Sequence, residues 1–296
     1  MKNFILFSLL IFCQMVSAQT IHSQEPVSGH YKTLQEFSPL PNSHYAWMDT
    51  IQYPPKEYGS SLTYVLVKPF YLSEQQVKAL TSSVRPPANS SDQTRQELAY
   101  LLKLQTSRTP EQIKRVSILA NIGYWPSNNL VPSHPDYQEN LDNLFFEGKE
   151  INGDWCNAKN FPAIAKVLAG AMQDMRVMEF TIKYTYFRPR PYHLEKTMES
   201  LDRIGSPSFA SGHTLWAFIQ AYIWSEIIPE KRNKFISLAN EIRQSREIMG
   251  IHYPSDNEAA RLITHRMLTY YSKNAAFTKV LQAAKAEWKD QSGKYL

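Results

Sequence analysis

From Leu215 to Ile228 the chain is apolar at nearly every position. A helix that is hydrophobic all round offers no face to water, so other elements must enclose it. The run is shorter than the ~18–20 residues needed to cross a bilayer, and no other segment reaches that length. It therefore reads as the central helix of a globular domain, and its neighbours read as helices too. Ile164, Leu168, Met172 and Met175 mark one helical stripe that leads into Lys183. Phe235, Leu238, Ile242 and Met249 mark another, which carries Arg246. Glu258 to Tyr271 and Ala275 to Lys289 complete the C-terminal set. Alternating, valine-rich strand patterns are scarce. The expected fold class is all-α, a single-domain helical bundle, with the methionines and aromatics of these stripes in its core.

Upstream, local chemistry marks helix starts. Ser73 followed by Gln76 forms a capping box for a helix through Leu80, which Arg85-Pro86-Pro87 closes. A second helix runs from Ser91 to Thr106, with Leu98, Leu101 and Leu102 on one face. Thr109-Pro110-Glu111-Gln112 supplies a cap, a proline at the first position and Gln at the third. Residues 123–160 hold Trp125-Pro126 and Asn152-Gly153 and read as a loop-rich insertion. Residues 19–60 show no helical period and read as an extended N-terminal arm ahead of a helical domain at 61–296.

Residues 1–18 have the form of a secretory signal peptide. Lys2 supplies positive charge, Phe4 to Phe12 is apolar, and Val16-Ser17-Ala18 is a small-residue cleavage site. A lipid-anchor reading through Leu10-Ile11-Phe12-Cys13 is opposed by the bulk of Phe12. The expectation is a periplasmic or secreted protein with no integral membrane segment in the mature chain. Loss of the leader removes Cys13 and leaves only Cys156, so no internal disulfide is available. Cys156 reads as a buried or incidental thiol. The net charge of +5 suits an anionic ligand, but Lys and Arg are scattered and no basic run interleaved with aromatics points to nucleic acid. A homodimer is compatible with the sequence, which does not specify one.

Three motifs carry chemistry: Lys183-x6-Arg190-Pro191, Ser211-Gly212-His213 and Ser245-Arg246-x5-His252-x3-Asp256. Ser211 lies where a loop becomes the apolar helix. A helix N-terminus presents unpaired N–H groups, which makes it an anion site. Gly212 allows close approach to the backbone, and His213 projects beside it. Alone, Ser-Gly-His is a helix cap with a neighbouring histidine. Lys183 and Arg190 are spaced for one helical face, and two fixed cations there call for an oxyanion. Arg188, in the same Arg-Pro-Arg-Pro run, reads as ordering the loop or facing solvent. Tyr253-Pro254 forces a turn after His252. Asp256 can then accept a proton from one imidazole nitrogen, leaving the other bare. A surface pair is the bland alternative. A metal site needs three or four ligands, and Lys183, Arg190 and Arg246 oppose a divalent ion.

In this order and spacing the motifs resemble the phosphatidic acid phosphatase type 2/haloperoxidase superfamily, and within it the bacterial class A nonspecific acid phosphatases. Thr94-Arg95-Gln96-Glu97-Leu98, Asp256-Asn257-Glu258-Ala259-Ala260-Arg261 and Ala284-Lys285-Ala286-Glu287-Trp288 extend the likeness from about residue 60 to the end. The resemblance implies that His252 is a nucleophile forming a phosphohistidine, Asp256 its orienting partner and His213 the acid for the leaving group. It implies that Lys183, Arg190, Arg246, Ser211 and the Gly212 N–H hold the phosphoryl oxygens of a small-molecule phosphomonoester, with no metal or cofactor. One departure is Gly205-Ser206-Pro207-Ser208-Phe209-Ala210, two residues longer than the usual approach to Ser211 and with Ala210 in place of proline. Two further readings use the same residues: a vanadium-dependent haloperoxidase, and a non-catalytic phosphate-binding protein.

Overall fold

The computed structural model describes residues 33–40, 46–122, 133, 135 and 137–295. The expected leader, Cys13, the start of the arm and Trp125-Pro126 lie outside them. Ten helices are used below: α1 Glu74–Ser82, α2 Asp92–Ser107, α3 Pro110–Ala120, α4 Tyr137–Asn143, α5 Phe146–Asn152, α6 Pro162–Tyr186, α7 Gly212–Ile227, α8 Arg232–Ile248, α9 Pro254–Tyr271 and α10 Ala275–Gln291. No strand occurs among the described residues, and the fold is all-α.

Helix α7 is the axle. Leu215, Trp216, Ala217, Phe218, Ile219, Ala221, Tyr222, Ile223 and Trp224 are all buried, enclosed by α6, α8, α9 and α10. Its few polar side chains find partners inside. Gln220 donates to the Leu144 carbonyl and accepts from Trp224 Nε1, at 3.1 and 3.0 Å. Trp216 Nε1 donates to Glu147 at 2.9 Å. Each such bond removes the cost of an unpaired polar group in the core.

Local signals act as the sequence suggests. Ser73 and Gln76 close a capping box on α1, and Thr109 and Gln112 close one on α3. Helix α1 ends at Ser82, before the Arg85-Pro86-Pro87 stop. Two segments differ from expectation. The stretch read as loop-rich contains α4 and α5; Leu144 and Phe145, in the turn between them, and Gly148 of α5 pack on the core. Among its described residues the arm holds short 3-10 segments at Thr33–Glu36, Ala46–Thr50 and Pro55–Glu57, and a seven-residue one, Ser60–Leu66, follows at its end. The arm is fixed to the body. Tyr53 N donates to the Phe187 carbonyl at 2.7 Å, the Tyr53 hydroxyl to the Ile204 carbonyl, and Gly59 N to the Gly205 carbonyl at 2.7 Å.

Among the described residues no helix is long and apolar enough to cross a membrane. Cys156 is buried, and burial pushes its thiol up to about 12, which suits a packing role.

Packing around α7 leaves no slack at Gly148. A Cβ there would lie 2.6 Å from the Trp224 ring and 2.9 Å from Cys156 Sγ. Gly148→Ala should therefore destabilise by about 1–3 kcal/mol, read from the urea midpoint. Gly293→Ala, with nothing within 4 Å of its Cβ, is the matched control and should leave the midpoint in place.

Candidate active site

Lys183 stands on the last turn of α6. That helix stops at Phe187, whose φ of 49° is left-handed. The alternating prolines of Arg188-Pro189-Arg190-Pro191 then keep the chain from resuming a helix at once. Arg190 caps the single turn Pro191–Leu194 and sends its guanidinium inward, where it is 1% exposed. Nε donates to the Ser206 carbonyl at 2.9 Å and Nη2 to the Pro207 carbonyl at 3.1 Å. Nη1 donates to the Ile251 carbonyl and to His252 Nε2, both at 2.9 Å. Lys183 Nζ donates to the Pro207 carbonyl at 2.7 Å. The backbone of the lengthened loop before Ser211 thus lies between two cations and receives hydrogen bonds from both.

Ser211 is the N-cap of α7. Its Oγ accepts from Thr214 N, and its own N–H donates to the Asp256 carbonyl at 3.2 Å. Gly212 follows as the first helical residue, and His213 places Nε2 3.0 Å from the Ala120 carbonyl at the end of α3. A carbonyl only accepts, so that nitrogen carries the proton.

Tyr253-Pro254 is a helix start, where the sequence suggested a turn. Tyr253 is the N-cap of α9, Pro254 its first residue and Asp256 its third. The Asp256 carboxylate folds back to accept from Tyr253 N at 3.0 Å, as an acidic side chain at a helix N-terminus does. That fold-back brings Asp256 Oδ2 to 3.1 Å from His252 Nδ1. His252 is thereby held between two partners that settle its tautomer. The carboxylate can only accept, so Nδ1 carries the proton. The guanidinium can only donate, so Nε2 presents its lone pair. His252-x3-Asp256 is a clamp across a helix end, and both residues are buried.

Arg188 neither faces solvent nor merely trims the loop. It is 2% exposed and joins α2 to α9. Nη1 donates to Asp256 Oδ1 at 2.7 Å and to Ser255 Oγ at 2.8 Å, and Nη2 reaches Glu97 Oε2 at 3.3 Å. The Tyr253 ring lies against the guanidinium, 3.8 Å from its centroid. Glu97 also accepts from Ser255 N and Oγ at 2.9 and 2.8 Å. Ser208 Oγ donates to Asp256 Oδ2. Glu97, Arg188 and Ser208 were not among the candidate site residues read from the sequence. The available signal was Thr94–Leu98 inside the family likeness, where Glu97 sits on a helix face otherwise filled by Leu98 and Leu101.

Arg246 completes the cluster from the end of α8, buried, with Nε donating to Ser245 Oγ at 3.1 Å. The structure therefore brings Lys183, Arg190, Arg246, Ser211, Gly212, His213, His252 and Asp256 to one region, with the side chain of Ser211 engaged as a helix cap. Electrostatics follow from that crowding. Burial, then the adjacent Arg190, lowers Lys183 to about 7. Burial with Arg190 holds His252 well below the usual imidazole range, and burial with Arg246 does the same to His213. Burial disfavours a charged Asp256, but Arg188, His252 and Ser208 outweigh it and keep the carboxyl below its ordinary value. Among the described residues no cluster of three or more His, Cys, Asp or Glu side chains could hold a metal ion.

Removing Arg188 would leave the Asp256 and Glu97 carboxyls buried without their cation. Arg188→Met should cost about 3–5 kcal/mol, measured by urea unfolding. Arg188→Met combined with Glu97→Gln and Asp256→Asn should recover part of that loss, because no unpaired charge remains.

Residues 163–277 match the PAP2 superfamily, a span that contains all three motifs. A non-specific acid phosphatase of Providencia stuartii is 33% identical over 138 residues, 44% of this chain and 55% of that protein. A non-specific acid phosphatase of Salmonella typhimurium is 24% identical over 235 residues, 76% of this chain and 86% of that protein. In fold the chain is similar to a bacterial vanadium-dependent iodoperoxidase, with a TM-score of 0.58 at 15% identity, over 83% of this chain and 64% of that one.

Proposed function

We propose that this PAP2-domain protein is an acid phosphatase that hydrolyses phosphate monoesters through a phosphohistidine at His252, without a metal. The observation that carries the reading is the clamp on His252, protonated at Nδ1 by its contact with Asp256 and bare at Nε2 within a cluster of cations. The relatives in Providencia and Salmonella, each named non-specific acid phosphatase, support the same class. The leader-like residues 1–18 support a periplasmic or secreted location.

The chemistry runs in two displacements. Lys183, Arg190, Arg246 and the first N–H groups of α7 hold the phosphoryl oxygens, replacing the charge a metal would supply. Arg190 now donates to Nε2, and an arriving oxyanion draws those N–H groups onto itself and uncovers the lone pair. Nε2 attacks phosphorus and forms an N–P bond while the ester P–O bond breaks. The leaving oxygen takes a proton from His213. Asp256 stabilises the positive imidazole so formed. A water then gives its proton to His213, attacks phosphorus and breaks the N–P bond, releasing phosphate and restoring both histidines.

His213 must be protonated in the first step, yet its surroundings disfavour the charged form, so turnover should be fastest on the acid side. Trapping with labelled substrate tests the nucleophile. Wild type should carry label on the protein and His252→Ala none. His213→Ala should still trap label from nitrophenyl phosphate, while losing about 10²–10⁴-fold in kcat with alkyl esters. Label on the His252→Ala protein would overturn the assignment. Turnover abolished by EDTA would replace the mechanism with metal-assisted hydrolysis.

Lys183 adds a second pH effect with a definite sign. Lowered to about 7, it is cationic below that pH and neutral above it. Affinity for an oxyanion inhibitor such as vanadate should therefore be full below about pH 7 and fall as the pH rises through it. Lys183→Met should bind weakly at every pH and lose that step, as inhibition constants between pH 5 and 8.5 would show.

A further inference from the structure

Glu179 sits one turn before Lys183 on α6 and is 5% exposed. Its carboxylate lies on the start of α7. A Cβ built at Gly212 would come within 2.0 Å of Oε1 and 2.3 Å of Cδ, so the two groups touch and only glycine fits. Oε2 accepts from Arg176 Nη1 at 2.8 Å, and Oε1 is 3.9 Å from Lys183 Nζ. A carboxylate thus stands inside a cradle otherwise built for an anion. Its charged and titratable surroundings are Arg176, Lys183 and Tyr184 on α6, Arg190 on the following loop and His213 beside Gly212 on α7.

We propose that Glu179 selects the protonation state of the bound oxyanion, accepting only a ligand that turns a hydroxyl-bearing oxygen toward it. This rests on the reading of the cluster as a phosphoryl site. A carboxylate is an acceptor with no hydrogen to give. An unprotonated ligand oxygen facing it would set two acceptors and two negative charges against each other in a water-poor site. A protonated oxygen would donate to Glu179, while the other oxygens meet Lys183, Arg190 and the α7 N–H groups. The substrate class is therefore the monoanion of a phosphomonoester, with one P–OH. A second ionisation of the ester, near pH 6, removes the hydrogen that Glu179 needs. The carboxylate is tied to Arg176 and packed on Gly212, which keeps it at the cradle.

Inorganic phosphate and sulfate separate this idea from general anion attraction. At pH 5 phosphate carries hydrogens and sulfate carries none, although the two are nearly the same size and shape. Calorimetric titration of the full chain at pH 5 should show phosphate binding at least tenfold tighter than sulfate. Glu179→Gln, whose amide can donate as well as accept, should bring the ratio close to one by strengthening sulfate binding. Glu179→Asp draws the carboxylate back from Gly212 and should also reduce the preference, which keeps the test open if the Gln variant fails to fold. A phosphate-to-sulfate ratio unchanged in the variants, or equal affinities in wild type, would overturn the proposal. Selective binding of phosphate without ester turnover would leave it standing and count against the phosphatase reading. Binding of neither anion would remove both.

Discussion

One buried ion pair, Arg188 with Asp256, fixes the relation between the parts of this molecule. A charged group loses much of its hydration inside a protein, and only a well-formed partner compensates. Arg188 leaves the end of α6, Asp256 belongs to α9, and Glu97 comes from α2. The three helices are locked at the point where their charges meet. His252 takes its orientation from that lock, because the carboxylate that accepts from its Nδ1 is the one that Arg188 holds. Stability and chemistry thus share a single contact.

The cations nearby show the opposite economy. Lys183, Arg190 and Arg246 are drawn into the interior with backbone carbonyls, a hydroxyl and Glu179 around them. Carbonyl dipoles are weak substitutes for a full negative charge, and Lys183 shows it by giving up its proton more readily than a lysine in water. An arriving oxyanion would relieve that strain on charge, so the electrostatic part of its binding is already prepared by the fold.

How legible was this from sequence? The helices were, where a chemical marker fell beside an apolar stripe, as with Ser73 and Gln76, Thr109 and Gln112, or the unbroken apolar run of α7. That the three motifs meet in one cluster was legible too, because histidines, arginines and a lysine at such fixed separations are unusual in a helical domain. Arg188 was misplaced because helical spacing was applied across Phe187, where the chain has left the helix and distances along it no longer follow a period. Tyr253-Pro254 read as a turn because proline both interrupts helices and opens them; the fold-back of Asp256 decides between the two. Helices α4 and α5 were hidden by turn residues in a stretch where burial against α7 supplies the order. Glu97 and Glu179 could not be picked out, since an acidic residue on a helix has no spacing that announces which carboxylate is buried.

The short arm has a consequence for what counts as the working unit. Tyr53 grips the chain at Phe187 and Ile204, on either side of Arg190, and Gly59 pairs with Gly205 at the root of the loop that Lys183 and Arg190 hold. Glu97 also lies outside residues 163–277. A piece of the protein cut to that stretch would keep Lys183, Arg190, Ser211, Gly212, His213, Arg246, His252 and Asp256. It would nonetheless lose the struts that hold those residues at their distances. The stretch that can be recognised by its motifs is therefore smaller than the unit that holds the cluster in place, and the difference is made up by segments outside all three motifs.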